Sequence, residues 1–249
     1  MHQNKSYGEF ADIYDILTDD VEYEKRAEYI DKLVKVHLGR KADLLCDLGC
    51  GTGSICTLLS GKGYDCIGID QSQEMLCVAL TKNPDGKILY LNQNITDFEL
   101  YGTVDVFLSM LDTVNYITDD EALCRMFSLV SNYLNPDGIF IFDVNTEYKF
   151  NYVLGNNTFV YEKDDIFYTW ENFYEDGFLQ FDINFFLKDK DDKYKRITEE
   201  HNQRYYSVEF LKNAGLKYGL ETLAVLGDMS FENPAQNEER VFIVMKKIH

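Results

Sequence analysis

Residues 43–54 read Asp43-Leu44-Leu45-Cys46-Asp47-Leu48-Gly49-Cys50-Gly51-Thr52-Gly53-Ser54, an apolar run emptying into three glycines at alternate positions. The apolar part has the length of a strand, and a helical pattern begins at Ile55. Glycine lacks a Cβ and tolerates positive φ, so a ligand can approach this backbone closely. At the carboxyl end of a parallel strand, such a turn marks the nucleoside crevice of a doubly wound α/β sheet.

The flanking sequence agrees with that placement. Short apolar strands over 65–69, 88–92, 104–110 and 139–144 alternate with helical patterns over 55–62, 74–82 and 119–134, the last capped near Thr118. Such alternation predicts a parallel sheet covered on both faces. The turn Asn135-Pro136-Asp137-Gly138 precedes the strand over 139–144. Upstream, Tyr23, Ala27, Ile30, Leu33, Val34 and His37 recur at helical spacing, predicting a helix over 21–38 with Asp19 and Asp20 at its N-cap. After Asn145 the period changes. Segments 159–163, 166–174, 178–188 and 194–204 read as extended, and Asp176-Gly177 supplies a hairpin turn. Leu179, Phe181, Ile183, Phe185 and Leu187 fall on one face of the third segment. A helix capped by Ser207 and ended by Gly215 follows, then strands over 218–226 and 240–247 that form a hairpin edge. The expected fold is α/β, a Rossmann-like doubly wound seven-stranded sheet with an antiparallel edge, plus an inserted antiparallel β-meander. Residues 1–40 read as a helical leader or lid, 41–148 and 205–249 as the nucleoside-binding domain, and 149–204 as a sheet covering the substrate site.

Composition narrows the function classes. The 249 residues carry a net charge of −19 with no basic cluster, which argues against nucleic acid as a partner. No apolar run approaches the ~20 residues of a membrane span, and the polar N-terminus resembles no signal peptide, so a cytoplasmic location is expected. Six cysteines form no Cys-x-x-Cys pair and no zinc spacing, which suits buried free thiols and no metal.

Three ligands compete for the glycine turn. A phosphate-binding P-loop needs a lysine, and none follows Gly53 before Lys62. A dinucleotide turn needs a third glycine where Ser54 stands. S-adenosylmethionine (SAM) has no phosphate and needs neither. Asp70, ending Cys66-Ile67-Gly68-Ile69-Asp70, is placed to accept hydrogen bonds from a ribose, or to cap the next helix, a task Ser72 can also fill.

Three motifs together resemble the class I SAM-dependent methyltransferase superfamily. They are Asp47-Leu48-Gly49-Cys50-Gly51-Thr52-Gly53, Gly68-Ile69-Asp70-Gln71-Ser72-Gln73-Glu74-Met75-Leu76, and Leu134-Asn135-Pro136-Asp137-Gly138-Ile139-Phe140. The stretch from Phe10 to Glu24 is similar to a cytoplasmic bacterial, small-molecule-type subgroup. The resemblance implies SAM as cofactor, S-adenosylhomocysteine as product, and cofactor contacts from Asp47, Gly49, Gly51, Asp70, Gln71, Met75, Asn94, Ile95 and Leu111. Asn94 stands where the family often has an acidic residue bonding the adenine amino group, a bond its carbonyl oxygen can also accept. The leader adds Tyr14 and Tyr23 near the sulfonium. Arg26 would pair with the cofactor carboxylate or lie on a polar helix face.

Methyl transfer from a sulfonium is an in-line displacement governed by alignment, so no fixed catalytic residue is required. The chain has neither an Asn-Pro-Pro-Tyr motif nor paired cysteines of the RNA cytosine type. Candidates around the pocket mouth are Asp112, as base, hydrogen-bond anchor or cap, with Asn115 and Tyr116 beside it. His201 is a base or a structural residue, with Arg204 nearby, and Tyr168, Trp170 and Phe173 are wall or core. The expected activity is methylation of a small-molecule nitrogen or oxygen. A SAM-binding sensor without transfer activity and an NAD(P)-dependent oxidoreductase are the alternatives. A homodimer through the meander's exposed face is compatible with the sequence.

Overall fold

The structure is a computed structural model describing residues 21–163, 165–188, 191 and 193–248, together with 14 and 18. Helix α1 (Tyr23–Leu38) buries Ala27, Ile30, Leu33 and Val34 at helical spacing. The expected caps Asp19 and Asp20 lie outside the described residues; α1 follows Glu22 at φ 53 and stops at Gly39. Then come β1 (Leu44–Leu48), α2 (Ser54–Gly61), β2 (Asp65–Asp70), α3 (Gln73–Thr81), β3 (Leu89–Asn92), β4 (Val104–Ser109), α4 (Asp120–Tyr133) and β5 (Leu134–Asn145). The cap of α4 is Asp119, whose side chain accepts from Ala122 N–H, rather than Thr118. The expected turn before β5 is a kink inside it: Asp137 takes φ 62 and the pairing with β4 shifts register between Val104 and Val106.

The extended segments form β6 (Thr158–Lys163), β7 (Ile166–Glu175), β8 (Phe178–Lys188) and β9 (Tyr194–Arg204), and α5 (Val208–Lys217), β10 (Leu220–Gly227) and β11 (Arg240–Lys247) close the chain. Gly215 does not end α5; it lies inside the helix, where a Cβ would overlap Met245.

The large sheet has the order β10-β11-β5-β4-β1-β2-β3, with β11 antiparallel to both neighbours and the remaining core parallel. The strand order reverses between β1 and β4, which opens a crevice at their carboxyl ends. Helices α1 and α2 cover one face through Ile30, Leu33 and Leu59. Helices α4 and α5 cover the other, where Phe107, Phe127, Phe140 and Phe142 are fully buried. Each such ring stabilises the fold by roughly 1.5–3 kcal/mol.

The second sheet, β6-β7-β8-β9, is an antiparallel meander. Its inner face carries Phe181, Ile183, Phe185 and Ile197, packed with Phe150, Leu154 and Met75 of α3. Met75 thus ties the crevice to the roof above it. A helical turn, Lys149–Leu154, joins β5 to the roof. Six residues are too few to show a period, so no sequence pattern marks this turn.

Candidate active site

A cavity of about 1000 Å³ lies between the strand ends and the meander. Its donor half is built on the glycine turn. A Cβ at Gly49 (φ +76) would overlap Thr113, and one at Gly53 would overlap Tyr90, so packing demands glycine at both. Gly51 (φ +53) has nothing within 4 Å of its missing Cβ and leaves the cavity wall bare. Lys82 Nζ braces the turn by donating to Thr52 Oγ1 at 3.0 Å and Ser54 Oγ at 2.9 Å.

Asp70 Oδ2 accepts from Gly51 N–H and Oδ1 from Ser72 N–H, both at 2.8 Å. A carboxylate has about four acceptor positions, so with the Gln71 N–H also nearby at least one remains for a ribose. Burial raises the Asp70 pKa, opposed by the backbone N–H groups of Ser72, Gly51 and Gln71. The side-chain cap of α3 is Ser72, whose Oγ accepts from Met75 N–H at 3.2 Å. Asp47 is buried at 2% exposure; Cys56 Sγ donates to its Oδ2 at 3.5 Å, and its Oδ1 has no partner. Burial pushes its carboxyl up to about 7, against the Cys56 hydrogen bond and helped by the charges of Asp70 and Asp143.

The Asn94 carbonyl oxygen already accepts from Thr96 N–H and Oγ1, both at 2.8 Å, while its Nδ2 donates to Gln71 Oε1 at 3.2 Å. Both lone pairs are occupied, so the expected acceptor for an adenine amino group is not open.

The acceptor half begins where β4 ends. Leu111 and Asp112 both adopt left-handed backbone, φ 57 and φ 54. This conformation costs roughly 1–2 kcal/mol per non-glycine residue. Asp143 on β5 holds it in place: Oδ2 accepts from Leu111 N–H at 3.0 Å and Oδ1 from Asp112 N–H at 2.6 Å. Arg240 on β11 donates to Asp143 Oδ1 and to Asp112 Oδ1, each at 2.7 Å. Gln203 on β9 donates to Asp112 Oδ2 at 2.5 Å. Burial works against the Arg240 charge, but Asp143 and Asp112 outweigh it and raise its pKa. With both oxygens engaged, Asp112 ties its loop to β9 and β11. Asn115, buried beside it, ties β5 to β9: its Oδ1 accepts from Asn145 N–H at 2.9 Å and its Nδ2 donates to Arg204 O at 2.8 Å.

The roof presents an aromatic wall. His201 stacks on Phe181 (5.0 Å between centroids, 24° between planes) and meets Tyr116 edge-on (5.9 Å, 83°). Burial lowers the His201 pKa and favours the neutral ring. Tyr168 and Trp170 also line the cavity, whereas Phe173 faces outward at 54% exposure.

Every residue of the expected cofactor and catalytic sets lines this cavity except Arg26. Arg26 is buried behind it, 3.2 Å from Asp228, 3.8 Å from Asp143 and stacked over Phe242. The buried Asp143 and the partly exposed Asp228 already supply the partner that a cofactor carboxylate would have offered. Sequence reasoning missed Asp143, Asn145, Lys149, Gln203 and Arg240. The available signal was a charge inside or opening a continuous apolar strand, as in Ile139-Phe140-Ile141-Phe142-Asp143-Val144 and Arg240-Val241-Phe242-Ile243-Val244. Such a charge must find a partner.

Residues 45–138 match the family described as a methyltransferase domain. Over 247 residues the chain is 32% identical to YqeM of Bacillus subtilis (strain 168), named as a methyltransferase, with 97% of each chain covered. A crystal structure of an S-adenosylmethionine-dependent methyltransferase from Clostridium acetobutylicum ATCC 824 matches with TM-score 0.89 and 35% identity, over 98% of this chain and 99% of that one. The chain belongs to the class I SAM-dependent methyltransferases. A partial similarity, 26% identity over 136 residues, extends to the dTDP-3-amino-3,6-dideoxy-alpha-D-glucopyranose N,N-dimethyltransferase of Streptomyces fradiae, covering 54% of this chain and 52% of that protein.

The donor half of this methyltransferase fits SAM. Gly51 leaves room along the turn, Asp70 has a free acceptor position for a ribose hydroxyl, and the unpartnered Asp47 Oδ1 suits the amino-acid ammonium. The oxidoreductase alternative falls with this membership. Among the described residues, no helix is long and apolar enough to cross a membrane.

Proposed function

We propose that this methyltransferase transfers the methyl group of SAM to a nitrogen or oxygen atom of a small molecule held under the β6–β9 roof. The observation carrying this reading is the continuity of one cavity from the glycine turn to the aromatic wall. Two further facts support it. The net charge of −19 offers no attraction for nucleic-acid phosphates. The Streptomyces fradiae relative is named for methylating the nitrogen of an amino sugar.

SAM, when bound, supplies a methyl carbon on a sulfonium sulfur. The pocket would then have to align an acceptor nitrogen or oxygen with that carbon and take up the acceptor's N–H or O–H proton. His201, neutral and on the cavity wall, takes that proton. The Leu111–Asp112 loop, latched by Asp143 and Arg240, fixes the floor on which the acceptor is aligned.

The test is transfer of label from methyl-labelled SAM into a metabolite extract. Label in small molecules supports the reading. Label confined to protein or nucleic acid refutes it.

A further inference from the structure

Two polar groups in the acceptor half are left over by the network just described. Lys149, in the helical turn after β5, lines the cavity, and its ammonium makes no hydrogen bond or ion pair with any described residue. Asn145, at 2% exposure, lines the same cavity, and its Oδ1 has no partner. The charged groups facing Lys149 are Arg240, Asp112, Glu239 and Asp143. None of the carboxylates serves as its counter-ion. Asp112 and Asp143 are bound at 2.7 Å by Arg240, and Glu239 is exposed to solvent. Burial and the nearby Arg240 charge lower the Lys149 pKa, and the charges of Asp112, Glu239 and Asp143 offset this only in part. A half-buried cation and a buried carbonyl that both lack hydrogen-bond partners are costly unless a ligand completes them.

We propose that Lys149 anchors an anionic oxygen group of the methyl acceptor, a carboxylate or a phosphate ester, while Asn145 Oδ1 accepts a hydroxyl or N–H of the same molecule. This deepens the small-molecule methyltransferase reading and rests on it. An ammonium offers three donors to such a group, and charge-assisted hydrogen bonds are the strong ones. The anion would sit beside the Asp112, Asp143 and Arg240 latch, so Lys149 fixes which acceptors enter and where they lie.

The test uses the full chain saturated with S-adenosylhomocysteine and two probes, inorganic phosphate and malonate, titrated at constant ionic strength with binding read by calorimetry. At least one probe should bind the wild type. Lys149→Met should weaken that binding at least about tenfold, the scale of a lost charged hydrogen bond. Lys149→Arg should retain it within about threefold, because arginine keeps the charge but cannot act as a base. Preference for phosphate or malonate distinguishes the two sources of the anion. Affinity for S-adenosylhomocysteine should be unchanged in each variant, which also reports correct folding; should Lys149→Met fail that check, Lys149→Gln replaces it. Absence of binding by either probe to the wild type, or undiminished binding in Lys149→Met, overturns the proposal. In either case the methyltransferase reading survives if S-adenosylhomocysteine still binds and label still reaches small molecules, and failure of those two results strikes that reading instead.

Discussion

Replacing Asp47 by asparagine should uncouple cofactor affinity from pH. In the free enzyme, burial holds the Asp47 carboxyl at about 7, against an ordinary value of 3.8. The folded pKa is raised, so the folded chain binds more protons than the unfolded chain between those two values. Stability therefore falls as pH rises through that window. A shift of about three units corresponds to about 4 kcal/mol. The ammonium of the cofactor would supply the charge that Asp47 Oδ1 lacks, and it needs the ionised carboxylate. At about pH 6 only about a tenth of the free enzyme is ionised at this site, so affinity should be roughly eightfold weaker than at about pH 7.5. Titration with S-adenosylhomocysteine in two buffers of different ionisation enthalpy reads this directly, as close to one proton released per ligand bound at the lower pH. Asp47→Asn should bind more weakly at neutral pH and lose the pH profile. Its ligand-free form should melt above the wild type at about pH 8, where the wild type carries the buried charge. Wild-type affinity that stays flat across this range without proton release, or an Asp47→Asn variant keeping the profile, would refute the reasoning.

Arg240→Met leaves Asp112 and Asp143 without their shared cation, so urea denaturation should show a loss of about 3–5 kcal/mol, with Arg240→Lys recovering part of it. Asp70→Ala should weaken S-adenosylhomocysteine binding by about 1–3 kcal/mol in calorimetry. His201→Gln should lower kcat by about 10²–10⁴ while leaving S-adenosylhomocysteine affinity intact. The wild-type rate should fall on the acid side below the ordinary histidine value of 6.5, because burial lowers the His201 pKa.

The sequence disclosed most of the scaffold because each strand and helix writes its burial as a local period. The Asp176-Gly177 turn and the alternation from Leu179 to Phe185 were enough to place the meander's central hairpin, β7 with β8. The donor half was legible for the same reason: the glycine turn and Asp70 belong to consecutive strand ends. The acceptor half is assembled from positions far apart, with Asp143 and Arg240 separated by 97 residues and Asp112 and Gln203 by 91. No local pattern encodes such pairs. Leu111 is also a residue type that rarely takes positive φ, so its conformation follows from the Asp143 carboxylate and not from its own preference. Arg26 misled because a helical arginine near a cofactor pocket gives no hint that Asp228 and Asp143 lie behind it.

Arg240 opens the final strand, and that position has a bearing on biosynthesis. A ribosome delivers β1 to β5 with the glycine turn, Asp70, Asp112 and Asp143 well before Arg240 emerges. Until then Asp112 and Asp143 lack the cation they share, although Arg26 lies near Asp143, and β5 presents an unpaired edge where β11 will sit. The nascent chain can thus shape a cofactor crevice early, yet it gains a rigid acceptor floor only on docking of its last strand. Assembly of the acceptor floor is in this way coupled to synthesis of the strand Arg240–Lys247, and a chain cut short before residue 240 would lack the latch while keeping the glycine turn.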